Sequence, residues 1–84
     1  MKLPPTLTLD QAAAVGATLP ADGSASVIDA SALREFDTSA LALLLQAKRL
    51  AQAAGRGFEV HGAPPKLQQL AQLYGVHELL GLSA

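Results

Sequence analysis

Apolar residues recur along this chain with two periods, and the switches between them mark out its elements. Thr6-Leu7-Thr8-Leu9 alternates polar and apolar, the pattern of a half-buried strand. Asp10 is placed to cap a helix over residues 11–19, rich in alanine, interrupted by Gly16 and stopped by Pro20. Ala21-Asp22-Gly23-Ser24 has the composition of a turn, Ala25-Ser26-Val27-Ile28-Asp29 reads as a central strand, and residues 30–36 read as a connecting loop. Residues 38–54 form the one long helix, entered through Asp37 as N-cap and closed by Gly55 as a left-handed C-cap. Gly57-Phe58-Glu59-Val60-His61-Gly62 alternates as a strand. Ala63-Pro64-Pro65 then opens a helix over residues 66–74 that Gly75 ends, and a last helical turn covers residues 78–80. Strands alternating with helices through short links predict an α/β fold with right-handed βαβ crossovers.

The long helix carries more leucine than one buried face can use. At about 100° per residue, Ala40, Leu43, Leu44, Ala47, Leu50, Ala51 and Ala54 fall on one arc, which is the expected core face. The opposite arc holds Thr38, Gln46, Lys48, Arg49 and Gln52, as a solvated face should, yet Leu41, Ala42 and Leu45 fall among them. Two readings are open for these leucines. Either they are scattered surface apolars or lie under the chain termini, or Thr38, Leu41, Ala42, Leu45 and Arg49 form a docking stripe for another protein; their spacing, one turn apart, favours the stripe.

Length and composition narrow the function classes. A chain of 84 residues is expected to form one small domain over residues 1–84. Six basic against seven acidic groups give a net charge of −1, which argues against nucleic acid or an anionic membrane surface as the main partner. There is no cysteine, and so no disulfide framework, thiol nucleophile or cysteine metal site. Met1-Lys2-Leu3-Pro4-Pro5 lacks the apolar run of a signal peptide, and no window has the length of a membrane span, so the expectation is a cytoplasmic protein without direct membrane insertion.

Candidates for chemistry are few. His61, His77, Asp29, Asp37 and Glu59 form no catalytic spacing, so no catalytic residue, metal site or cofactor is expected. Glu59 and His61 are two apart on a strand and share a face, which one carboxylate and one imidazole leave as a solvated surface rather than a metal site. Gly55-Arg56-Gly57 is too short for a phosphate-binding loop and serves as helix cap and turn. Asp37 as N-cap places Thr38 at the helix tip, where its hydroxyl is open to partner contact or phosphorylation.

Val27-Ile28-Asp29-Ala30-Ser31, Phe36-Asp37-Thr38-Ser39-Ala40-Leu41, the helix into Gly55, the strand to His61, and Pro65-Lys66-Leu67 through Leu73-Tyr74-Gly75-Val76 together resemble the STAS domain family. Threonine directly after aspartate, the Leu-Ala-Leu-Leu-Leu run and Leu-Ala-Gln-Leu-Tyr-Gly are similar to its MlaB-like branch. The resemblance implies an anti-sigma factor antagonist-like fold, a mixed sheet of roughly three or four strands with helices packed on it. It also implies a non-enzymatic accessory subunit that docks on the ATP-binding subunit (MlaF-like) of a phospholipid ABC transporter, in a complex with the permease. Its place would be at the inner membrane, peripherally, through that partner, and Thr38 would lie at the contact. The alternative it implies is an anti-sigma factor antagonist in a phosphorylation-controlled partner switch, with Thr38 as the modified residue.

Overall fold

Two short parallel strand pairs carry the helices. In the computed structural model, which describes residues 1–20 and 22–82, the order is β1 (Thr6–Leu7), α1 (Leu9–Ala17), β2 (Val27–Asp29), β3 (Glu35–Phe36), α2 (Thr38–Ala53), β4 (Glu59–His61), α3 (Pro65–Leu73) and α4 (His77–Leu80). β2 lies parallel to β4 with Ile28 opposite Val60, and β1 lies parallel to β3 with Leu7 opposite Phe36. Single bridges extend the first pair on both sides, Lys2 to Asp29 and Val60 to Leu82. The small α/β fold expected from the element order is present. Its sheet differs from the expected mixed one, because every described pairing is parallel: each strand returns through a crossover or a long loop rather than a hairpin.

Period-two patterning explains the ladder. Ile28 and Val60 are buried while Val27, Glu59 and His61 are exposed, so one face of the pair meets the core and the other meets water. Leu3, Leu7, Leu44, Leu67 and Leu80 complete the centre. Ala40, Ala47 and Ala51 on α2 are buried and small, which lets that helix lie close on its neighbours. Leu43 and Leu44 are buried with them, as expected; Leu50 is half-buried and Ala54, the C-cap, is exposed.

Several element ends shift by one or two residues, and three of the differences change which element a residue belongs to. Helix α1 begins at Leu9, with Thr8 rather than Asp10 as N-cap, and the Thr8 hydroxyl donates to Gln11 Oε1; Leu9 therefore belongs to the helix and not to β1. Residues 35 and 36 are strand, not loop, since the Glu35 amide bonds Pro5 O at 3.0 Å and the two segments run side by side. His77 is the first residue of α4 rather than part of a loop.

The turn before β2 is fitted tightly to α2. Gly23 has φ +75°, and a Cβ built there would lie 2.5 Å from Leu50 O and 2.9 Å from Ala54 Cβ, so only glycine combines that backbone with that approach.

Candidate functional site

The N-terminal end of α2 is built by one capping bond. Asp37 has an extended backbone, and its Oδ1 accepts the Ser39 amide at 2.9 Å, satisfying one of the donors that a helix start leaves open. Thr38 is thereby the first helical residue, and it is exposed. The other end closes as expected: the Gly55 amide bonds Gln52 O at 3.0 Å and the Arg56 amide bonds Ala51 O at 2.8 Å, a Schellman pair.

On the outer side of α2 the five expected docking residues divide. Thr38, Ala42 and Arg49 are exposed and Leu45 is half-buried, its side chain packed against the core cluster. Leu41 is the correction. It is 4% exposed and belongs to the core cluster, and what little of it is open forms a wall of the hollow that Tyr74 and Val76 of the α3–α4 link also line. Leu41 therefore fills the protein's own interior and is not a free anchor for a partner.

That link is positioned by glycine chemistry at the end of α3. Gly75 has φ +71°, its amide bonds Gln72 O at 3.1 Å, and the Val76 amide bonds Ala71 O at 2.9 Å. The reversal puts Tyr74 and Val76 beside α2, where they line a hollow of 290 Å³ together with Thr38, Leu41, Ala42 and Leu45. The Lys48 ammonium donates to Leu79 O and ties α4 to the same helix. A second hollow, of 490 Å³, is lined by Ala42, Leu45, Gln46 and Arg49. A third, of 210 Å³, opens toward α1, with Leu9, Ser39 and Ala42 among its walls.

Tyr74, Val76 and Leu9 were not among the residues expected at this surface. Tyr74 and Leu9 are large apolar side chains left 59% and 68% exposed. An aromatic directly before the capping Gly75 is the signal that the sequence held for the first; Leu9, in an alternating run, held none.

Two further aspartates are held by local turns. Asp29 Oδ1 accepts both the Ser31 hydroxyl, at 2.6 Å, and the Ser31 amide, at 2.9 Å, which holds its carboxyl below the ordinary 3.8, with smaller help from Lys2 and the α-amino group. Asp29 is thus the anchor of a turn. Asp22 is lowered in the same way by Ser24, with Arg56 contributing less. Glu59 and His61 share a face as expected, Nε2 to Oε2 being 3.4 Å, and both are well exposed. Among the described residues no group of three or more His, Cys, Asp or Glu side chains is arranged to hold a metal ion, and no helix is long and apolar enough to cross a membrane.

The family model described as "Mlab, STAS domain" matches residues 2–81. The chain belongs to the STAS domain family. Neither the curated proteins nor the solved structures gave a match. Membership agrees with the small α/β fold and supports a non-enzymatic role of the STAS type. In this STAS domain the exposed Thr38 tip, the hollow beside it and the Arg49 end of the stripe form one continuous side of α2.

Proposed function

We propose that this STAS domain is the accessory subunit that docks on the ATP-binding subunit of an Mla-type phospholipid ABC transporter, in a complex with the permease, through the Thr38 end of α2. The observation that carries the reading is the exposed row Thr38, Ala42, Arg49 with half-buried Leu45, flanked by open hollows, on a helix fixed by Asp37 and packed on the core. The match to the family model described as "Mlab, STAS domain" supports a STAS-type role, and the ATP-binding subunit is the partner this reading assigns to it.

No chemistry is needed for such a subunit to act. If the domain binds one arrangement of the ATP-binding subunit more tightly than another, it favours that arrangement by the difference in affinity, and assembly or turnover follows. The rigid start of α2 suits this, because a preorganised surface loses little freedom on binding. The domain would then sit on the cytoplasmic side of the inner membrane, held there by its partner.

A second reading rests on Thr38 itself. Its exposed hydroxyl stands in the first turn of a helix, where added phosphate is electrostatically favoured, as a phosphorylation-controlled anti-sigma factor antagonist requires. Tagged purification from the native host with mass spectrometry separates the two. An ABC ATP-binding subunit with its permease in the eluate supports the transporter reading; a kinase-type anti-sigma factor in their place overturns it.

A further inference from the structure

We propose that the element seated on α2 is an amphipathic helix of the ATP-binding subunit, lying along α2 with a bulky apolar side chain on Ala42 and a carboxylate against Arg49. This rests on the docking reading above and adds the shape and charge that the partner presents.

Ala42 lines each of the three hollows described above. One opens toward Tyr74 and Val76, one toward Leu9 on α1, and one runs along α2 to Arg49. Ala42 contributes only a methyl group to each, so it is the floor of a saddle with exposed Leu9 and Tyr74 on its two sides. Single exposed apolar residues need no explanation. Two that straddle an alanine form the seat into which a knob from a second helix packs.

The length and polarity of the groove select the occupant. From Ala42 to Arg49 is about two helical turns, roughly 10.5 Å, and a helix presents side chains on one face at that spacing. A strand would need free backbone groups to pair with, and the surface of α2 offers side chains alone. Arg49 is exposed and has no hydrogen bond or ion pair among the described residues. Its guanidinium ends an otherwise uncharged hollow, so the complementary group is a carboxylate, which the planar fork binds in two-point fashion. The hollows are open rather than enclosed, which favours a protein ridge over a lipid tail.

The absence of cysteine provides the test. Ala42→Cys places a single thiol on the saddle, to be paired by oxidation with single cysteines scanned through a cysteine-free ATP-binding subunit. The expected result is cross-linking at positions three and four apart on one helix. Cross-links two apart, or scattered over loops, would overturn the proposal. In parallel, Ala42→Trp and Arg49→Glu are each expected to weaken binding by roughly tenfold or more, with Arg49→Glu rescued by exchanging the facing carboxylate for arginine. Circular dichroism melts show whether each variant folds, and should Ala42→Trp melt early, Arg49→Glu and the cross-links still decide. Wild type binding with both variants unaffected removes the saddle but leaves docking intact; no binding by wild type removes both. Dimers of the isolated domain that Ala42→Trp dissolves, or Arg49-dependent binding to anionic phosphatidylglycerol vesicles, would assign the groove to another occupant and overturn the helix.

Discussion

The carboxylate of Asp37 accepts the Ser39 amide at 2.9 Å, and this bond fixes where α2 starts. Because Thr38 lies between the two, its exposure at the helix tip depends on the same contact. Asp37→Ala is expected to cost about 0.5–2 kcal/mol of stability, and Asp37→Asn much less, since both aspartate and asparagine cap well. Urea denaturation checks this: the midpoint should fall for alanine with an unchanged slope.

Leu41 and Ala42 are adjacent on α2 and should respond in opposite ways. Leu41→Ala removes a side chain that is 4% exposed and is expected to cost about 2–5 kcal/mol, enough to threaten so small a domain. Ala42→Asp, on the exposed side, should change stability by about 0.5 kcal/mol or so. Thermal melts of the two variants compare them directly. Equal melting temperatures would mean that Leu41 does not belong to the core.

Gly23→Ala should destabilise the domain even though it adds only a methyl group. The new Cβ would meet Leu50 O at 2.5 Å, in a backbone conformation that alanine adopts at a cost, for about 1–3 kcal/mol together. Since Leu50 O is a backbone atom of α2, no side-chain rotation relieves the clash. A denaturant midpoint equal to that of wild type would contradict the close approach.

Asp29 gives the domain a defined sensitivity to acid. Its carboxyl is held below 3.8 by the Ser31 hydroxyl and amide, so the folded value is lower than the unfolded one. The stability it contributes is present in full above the unfolded value and is lost as pH falls through the folded one. Ser31→Ala removes the hydroxyl contact, so the midpoint of Asp29 should rise and the loss of stability in acid should shrink. The carboxyl carbon chemical shift of Asp29, followed against pH in both proteins, reads the change.

What the sequence revealed follows the range of the interactions concerned. The ends of α2 were legible because Asp37 and Gly55 act on backbone groups within a few residues. The exposed Glu59 and His61 flanking buried Val60 were legible because strand alternation is local too. β3 was not, because two residues carry no period and Glu35–Phe36 are strand only through pairing with Thr6–Leu7. The start of α1 was misplaced because Thr8 and Asp10 are both good caps and Leu9 suits either element. At the site, Thr38, Ala42 and Arg49 fell on the outer side as the helical wheel placed them. Leu41 did not, since it is buried in the core cluster by packing from elsewhere in the fold, and a wheel drawn for one helix contains no neighbours.

The most direct measurement is the affinity of the domain for the purified ATP-binding subunit, wild type against Thr38→Glu. Negative charge in the first turn of α2 leaves the fold intact or slightly steadier, because it complements the helix dipole. In a contact it must shed its water beside Asp37, so binding should fall by roughly tenfold or more while the melting temperature holds. Tight binding by wild type and weak binding by a folded Thr38→Glu is the predicted result. Equal affinity of the two, or no association of wild type at all, would contradict docking through this end of the helix.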